Sequence, residues 1–197
     1  MGDIDGDGRL DIVSGSNCCD PTTVHVFRRQ LSGRFAPREV IRFERADIEP
    51  AARVWANLRG HSRPYLLDWE NNGKTRLVIA SPLSWTLYVS PGLVTNQSTI
   101  ELQPYSLPVI PGTFPQHFEF ADWDNDGHFD LLMVAQARTV TDGPLFYAVD
   151  WYRNSAIQGE PKFGAPTRLL TVPHECDVNG IAVATRTRFN RPNLVSM

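Results

Sequence analysis

The chain contains one nine-residue pattern twice, as Asp3-Ile-Asp-Gly-Asp-Gly-Arg-Leu-Asp11 and as Asp122-Trp-Asp-Asn-Asp-Gly-His-Phe-Asp130. A damaged copy lies between them, Asp68-Trp-Glu-Asn-Asn-Gly-Lys-Thr-Arg76, and a degenerate trace at residues 185–193 keeps only the frame. We number the nine positions of each copy from its first residue and call the three clear copies loop one, loop two and loop three. The copies recur about every 60 residues, which indicates a chain built from repeated structural units.

Segments typical of β-strands fill the periods between these loops. They are short, they are rich in apolar, β-branched and aromatic residues, and glycine, proline and asparagine turns separate them. The predicted strands cover residues 12–13, 24–27, 38–43, 117–121, 131–135, 145–152 and 167–172. Only residues 47–58 could form a short helix.

Four strands per unit, repeated in tandem, predict an all-β fold made of β-propeller blades, because radial repetition protects the edges of the sheets. The 197-residue chain holds about three four-stranded blades. Propellers typically close with four to eight blades, so we expect a partial β-propeller. Residues 1–197 then form a single repeat region, and remaining blades from the same or another chain complete the ring.

Aspartates at positions 1, 3, 5 and 9 make loops one and three candidate calcium sites. Calcium takes six to eight oxygen ligands, and short carboxylates at alternating positions of a tight turn converge on one point. Glycine at position 6 permits a turn that directs the backbone carbonyl of position 7 toward the same point. The predicted ligands of about two calcium ions are Asp3, Asp5, Asp7, the Arg9 carbonyl and Asp11 in loop one, and Asp122, Asp124, Asp126, the His128 carbonyl and Asp130 in loop three. The apolar residues at position 8, Leu10 and Phe129, are expected to point into the core.

Two other structures use similar residues. Asp, Asn and Gly form turns through side-chain hydrogen bonds without any ion, although four carboxylates in nine residues repel one another unless a cation is present. An EF-hand also opens with Asp-x-Asp-x-Asp-Gly, but it requires Glu at position 12 and flanking helices. Position 12 is Ser14 after loop one and Met133 after loop three, both inside β-like segments, which excludes the EF-hand.

Loop two departs from the pattern. Glu70 is longer than the usual aspartate, Asn72 is neutral, and Arg76 places a cation where the last carboxylate should be. We predict that the Arg76 guanidinium pairs with Asp68 or Glu70 and replaces the metal. The fourth trace, at residues 185–193, has no carboxylate and is expected to bind nothing.

The two intact loops and the segments that follow them, Val24-His-Val-Phe27 and Trp151-Tyr-Arg-Asn154, resemble FG-GAP/VCBS repeats. The turn Phe163-Gly-Ala-Pro166 is similar to the element that gives this family its name, and Phe35-Ala-Pro37 is a reduced copy. The resemblance implies an integrin-alpha-like propeller, usually seven-bladed, with calcium held between the first two strands of a blade. It also implies an extracellular or cell-surface location and a role in adhesion or ligand binding.

Composition narrows the classes of function. Nineteen Lys and Arg against 22 Asp and Glu give a net charge of −3, which does not favour nucleic acid or anionic lipid as a partner. The longest strictly apolar run, residues 131–135, is far shorter than the roughly 20 residues that span a bilayer. The first residues lack the basic and apolar regions of a signal peptide, which is expected of a chain truncated at its N-terminus.

The three cysteines, Cys18, Cys19 and Cys176, leave their redox state open. Either Cys176 forms a disulfide with one of the adjacent pair, or the pair forms a strained bridge, or all three are thiols. No disulfide framework spacing is present, which favours thiols.

No catalytic constellation is evident. The sequence His174-Glu-Cys-Asp177 lacks the spacing of a zinc protease, and no Gly-x-Ser-x-Gly motif occurs. Tryptophans such as Trp69 and Trp123 either pack between strands or stack on sugar rings. We therefore expect a non-enzymatic, calcium-stabilised module that binds a protein or a glycan; the alternative is an accessory domain of a carbohydrate-active enzyme.

Overall fold

The computed structural model describes residues 1–15, 23–45, 63–80, 85–95, 97–138, 143–157, 159–173, 181–185 and 192–196. Within these residues the chain forms β-strands and no helix, so the predicted all-β class is confirmed. The strands are β1 (Ile12–Gly15), β2 (Thr23–Phe27), β3 (Glu39–Arg45), β4 (Arg63–Leu67), β5 (Arg76–Ala80), β6 (Thr86–Val89), β7 (Thr99–Ser106), β8 (Thr113–Ala121), β9 (Asp130–Arg138), β10 (Leu145–Tyr152), β11 (Thr167–Pro173), β12 (Ile181–Thr185) and β13 (Pro192–Ser196).

Two groups of strands have the predicted four members. β4 to β7 form an antiparallel meander in chain order, and β8 to β11 form a second one. β1 to β3 form a three-stranded meander. An isolated bridge between Gly2 and Asp11 precedes it in the place of a first strand, so β1, β2 and β3 correspond to the second, third and fourth strands of a repeat unit. Every predicted strand overlaps a strand of the structure.

The way in which the units combine differs from three separate blades. β3 and β7, the last strands of the first two units, pair in parallel from Arg42 opposite Thr99 to Arg45 opposite Leu102. This pairing produces one seven-stranded sheet of order β1-β2-β3-β7-β6-β5-β4, and the contacts between β1 and β4 bring its two ends nearly together. The predicted blade count is thus not what the described strands form. A strand at the edge of a sheet exposes unpaired N–H and C=O groups, and the parallel pairing of β3 with β7 satisfies these groups along one side of each strand.

The chain divides into two compact regions, residues 1–106 and residues 107–197, which are distinct from the repeat units. In the region of residues 1–106, apolar side chains from both halves of the seven-stranded sheet share one core. Its buried members are Ile4, Val24, Val26, Ile41, Phe43, Leu77, Ile79, Tyr88, Val94, Ile100 and Leu102. Each fully buried side chain of this size contributes about 1.5–3 kcal/mol relative to exposure, so this core holds the two meanders together.

In residues 107–197, β9 is a deeply buried strand. Residues 131–135 are all buried, which matches their unbroken run of apolar side chains. β9 pairs with β8 on one side and with β10 on the other, so its backbone is satisfied as well. This strand fixes the position of loop three, which ends at its first residue, Asp130.

Each loop sits between the first and second strands of a unit. Loop two joins β4 to β5, loop three joins β8 to β9, and loop one leads into β1. Ser14 and Met133 lie in strands β1 and β9, which confirms that loops one and three are not EF-hands.

Several sequence predictions fall outside the described residues. These are the helix at residues 47–58, the state of Cys18, Cys19 and Cys176, the cluster at residues 174–177 and most of the fourth trace. Among the described residues, no helix has the length and apolar character needed to cross a bilayer.

The β8 strand generates a prediction about pH. Burial raises the pKa of Glu119, and the imidazole Nε2 of His117 lies 3.8 Å from its carboxylate. A raised pKa means that the native state holds this proton more tightly than the unfolded chain, so wild type loses stability as the pH rises from about 4.5 through the folded value. Glu119→Gln is expected to exceed wild type in free energy of unfolding at pH 7 and to match it near pH 3.5.

Urea denaturation at both pH values measures this difference, with the exposed Glu160→Gln as control. A gain that is as large at pH 3.5 as at pH 7 would contradict the assignment.

Candidate functional site

The three loops share one backbone conformation. Position 4 has a positive φ in each loop, at 80° for Gly6, 51° for Asn71 and 63° for Asn125. Position 6 is glycine in each, with φ between 82° and 90°. Only glycine, and less readily asparagine, adopts this left-handed region at low cost, so the Gly or Asn at these two positions is required by the turn.

The aspartate at position 1 holds the turn closed. Its two carboxylate oxygens accept hydrogen bonds from the backbone N–H groups of positions 5 and 6. The N···O distances are 3.1 and 2.8 Å for Asp3, 2.9 and 2.7 Å for Asp68, and 2.9 and 3.0 Å for Asp122. Hydrogen bonds to a charged acceptor contribute about 1.5–3 kcal/mol each, more than ordinary ones.

Position 5 adds a second internal bond. The side-chain oxygens of Asp7, Asn72 and Asp126 each accept from the backbone N–H of position 7, at 2.9–3.0 Å. These are Asx-type turns, and Asn72 forms the same turn without a charge. Part of the Asp and Asn pattern is thus explained by the turn itself.

The aspartate at position 9 is fully buried in loops one and three. One oxygen accepts from the backbone N–H of position 2, which belongs to Ile4 or Trp123, at 3.2 Å. The other oxygen accepts from a residue just after the third strand of the unit. Asp11 accepts from Arg29 at 2.8 Å, and Asp130 accepts from Asn154 at 2.7 Å.

Burial raises the pKa of Asp130, and these backbone donors oppose the shift. The position-9 carboxylate therefore joins the loop to the rest of its unit.

Carboxylates converge in both intact loops. One oxygen from each of Asp3, Asp5 and Asp11 lies within 4.8 Å of the others, and the same holds for Asp122, Asp124 and Asp126. Two oxygens bound to one calcium ion at about 2.4 Å are at most about 4.8 Å apart. Asp3 Oδ1 already accepts from the N–H groups of Gly6 and Asp7, whereas Asp3 Oδ2 and both oxygens of Asp122 accept one N–H bond each and keep a lone pair for an ion. The residues present therefore fit a hard divalent cation.

Two predicted side-chain ligands lie outside these clusters. Asp7 does not join the cluster of loop one, and one of its oxygens pairs with the Arg9 guanidinium. Asp130 does not join the cluster of loop three, where its oxygens face Trp123 and Asn154. The Arg9 and His128 carbonyls remain predicted ligands.

An arginine pairs with the third-position acid in each loop. Arg28 Nη1 lies 2.7 Å from Asp5 Oδ2, and Arg153 Nε lies 2.6 Å from Asp124 Oδ2. Arg28 and Arg153 are equivalent residues, since each directly follows the third strand of its unit. Burial opposes the charge of Arg28, but hydrogen bonds and Coulomb attraction from Glu39 and Asp5 raise its pKa overall. Attraction by Asp124, with Asp126, raises the pKa of Arg153.

Sequence reasoning missed the role of Arg28 and Arg153. The available signal was their shared local sequence, since an arginine ends both Val26-Phe-Arg28 and Trp151-Tyr-Arg153, the strand-like segments that follow the two intact loops.

Loop two contains the ion pair that its sequence predicts. Arg76 at position 9 binds Glu70 at position 3 through both Nε, at 2.9 Å, and Nη2. Both side chains are mostly buried, and Arg76 Nη1 also lies 3.5 Å from the carbonyl oxygen of Ser90. Of the two predicted partners, the guanidinium binds Glu70.

The prediction for position 8 is wrong. Leu10 is 55% exposed and Phe129 is 40% exposed, so neither anchors its loop in the core. The reason is the burial of the next residue, because neighbouring side chains at the start of a strand point to opposite faces. The aspartate at position 9 points inward and position 8 therefore points outward. Position 2, unlike position 8, does reach the core in loops one and two, where Ile4 and Trp69 are buried. The Trp69 ring packs edge-on against Tyr105, with ring centroids 5.3 Å apart.

No protein-family model matches the chain, and neither the curated proteins nor the solved structures searched give a significant match.

The Glu70–Arg76 pair gives a second prediction. Arg76→Gln leaves a largely buried Glu70 without its main cation, and we expect a loss of roughly 1–3 kcal/mol in the free energy of unfolding. The exposed Arg34→Gln serves as control. Calcium stoichiometry, measured by titration calorimetry, is expected to stay the same in Arg76→Gln, and a change in stoichiometry would mean that loop two binds an ion.

Proposed function

We propose that this chain is a calcium-binding β-repeat module that acts by interaction with a partner rather than by catalysis. Loops one and three would each bind one calcium ion, and loop two would use its internal Glu70–Arg76 pair instead. The four-stranded period and the FG-GAP/VCBS resemblance support a place in a propeller ring, at the cell surface or outside the cell.

One observation carries the proposal. Loops one and three each bring three carboxylate oxygens within 4.8 Å of one another. Loop two has the same backbone conformation but carries an arginine in place of the acid at position 9. Three close carboxylates repel, and a divalent cation is the ordinary way to relieve that repulsion. The turn alone requires fewer charges, because loop two forms the same Asx turn with neutral Asn72.

Exposed apolar side chains beside both loops favour a protein as the partner. Leu10 and Phe129 at position 8 face outward. After the third strand of each unit, a short turn closed by the bridge Arg29–Phe35 or Asn154–Phe163 carries a further exposed residue, Leu31 or Ile157. Calcium would hold the loops and turns that carry these apolar residues in place. The affinity for a protein partner would then depend on calcium.

Matched variants in two loops test the calcium proposal. Asp122 and Asp68 accept the same two backbone N–H bonds, but only Asp122 belongs to a three-carboxylate cluster. Titration calorimetry is expected to give about two calcium ions for wild type, about one for Asp122→Asn and about two for Asp68→Asn. Both variants should lose stability in chelator, because each weakens its turn.

Thermal unfolding supplies an independent measurement. Each site that is occupied at a hundredfold excess over its Kd adds about 2.7 kcal/mol to stability, which corresponds to a rise in Tm of roughly 5–11 °C at this chain length. A wild-type Tm that is the same in chelator and in millimolar calcium would remove the calcium assignment and leave the fold untouched.

A further inference from the structure

We propose that Arg153 is an internal cation that a divalent ion displaces from loop three, whereas Arg28 stays in place when an ion binds loop one. This inference rests on the proposed calcium-binding function and concerns how the two sites are regulated. It predicts that two loops of the same sequence pattern are unequal cation sites.

Among the described residues, the Arg153 side chain makes polar contacts only with the carboxylate cluster of loop three. Its Nε lies 2.6 Å from Asp124 Oδ2, and its Nη2 lies 3.2 Å from Asp126 Oδ2. Asp124 and Asp126 are two of the three members of the cluster. The Arg153 side chain is 58% exposed, so it can move into water without the loss of any other polar contact.

Arg28 occupies the equivalent position but is held by residues outside its loop. Its Nε binds both carboxylate oxygens of Glu39, at 3.0 and 3.2 Å. Its Nη2 donates to the carbonyl oxygens of Val94 and Thr95, at 3.2 and 3.0 Å. The side chain is 13% exposed and touches only Asp5 of the cluster. If Asp5 turns toward an ion, Arg28 keeps all its other partners.

Loop two provides independent support for a cation requirement at the third position. The residue that follows β6 is Ser90, so no arginine is available where Arg28 and Arg153 stand. The guanidinium comes from position 9 instead and binds the third-position acid, Glu70. Two different places in the chain thus deliver an arginine to the same point of the loop.

The consequence for an ion follows from charge. A guanidinium and a divalent ion cannot both approach the Asp124 and Asp126 oxygens without mutual repulsion. In loop three the ion must therefore replace Arg153. In loop one Arg28 remains close, but Glu39 balances its charge.

The experiment compares calcium binding by wild type, Arg153→Gln and Arg168→Gln in the full chain. Arg168 pairs with Asp150 outside the loops, so Arg168→Gln controls for the loss of one positive charge. Because a competing positive charge is removed, Arg153→Gln is expected to bind calcium about tenfold more tightly at one of its two sites. A tenfold change in affinity corresponds to about 1.4 kcal/mol. Arg168→Gln should leave both affinities within about twofold of wild type.

Arginine side-chain NMR gives a readout that affinity alone does not. On titration with calcium, the Nε–H signal of Arg153 should move to the position of a free arginine, while the signal of Arg28 should stay dispersed. Asp122→Asn, which removes a cluster member, should abolish the Arg153 response.

The outcomes of these experiments separate displacement of Arg153 from calcium binding itself. If wild type binds two ions and Arg153→Gln binds no more tightly, displacement is overturned and calcium binding stands. If wild type leaves loop three empty but Arg153→Gln fills it, Arg153 excludes the ion instead of yielding to it, and displacement is overturned. If neither protein binds calcium, both the proposed function and displacement are overturned.

Discussion

The structure depends on the carboxylate at position 1 of each loop. By accepting N–H bonds from positions 5 and 6, it replaces the backbone partners that a tight turn cannot provide. The closed turn sets the register between the first two strands of a repeat unit. In the pairing of β8 with β9, for example, Ala121 lies opposite Asp130. The buried aspartate at position 9 then connects loops one and three to the end of the third strand. One short motif thereby aligns three strands.

The same geometry that closes the loops also concentrates negative charge. A carboxylate at position 1 or 9 has a structural reason, since each accepts at least two backbone N–H bonds, whereas Asp5 at position 3 accepts one, from Asp7 at 3.2 Å. Asp5 and Asp124 instead meet arginines, and Glu70 does as well. The charge at position 3 is therefore not required by the turn. Position 3 is where a cation, either an arginine of the chain or a bound ion, contributes most to the stability of the loop.

The sequence predicted much of this arrangement because the signals were local. The repeated loops marked the period, and alternation and apolar runs located strands such as β9 and β10 within a few residues. The Glu70–Arg76 pair was also predictable, because its partners lie in one loop. The pairing of β3 with β7 was not, because it depends on which edges meet in space. Arg28 and Arg153 were missed for a related reason, since 23 and 29 residues separate them from the acids at position 3.

The parallel pairing of β3 with β7 has a consequence for how the chain folds. Arg42 meets Thr99 across a long stretch of intervening chain, so this contact forms only after a large loss of conformational entropy. The meander of β8 to β11 pairs only strands that are consecutive in the chain, and it can form early. During synthesis the edges of β3 and β7 stay open until both meanders exist, and this interval is when the first 106 residues are most exposed to wrong strand pairing.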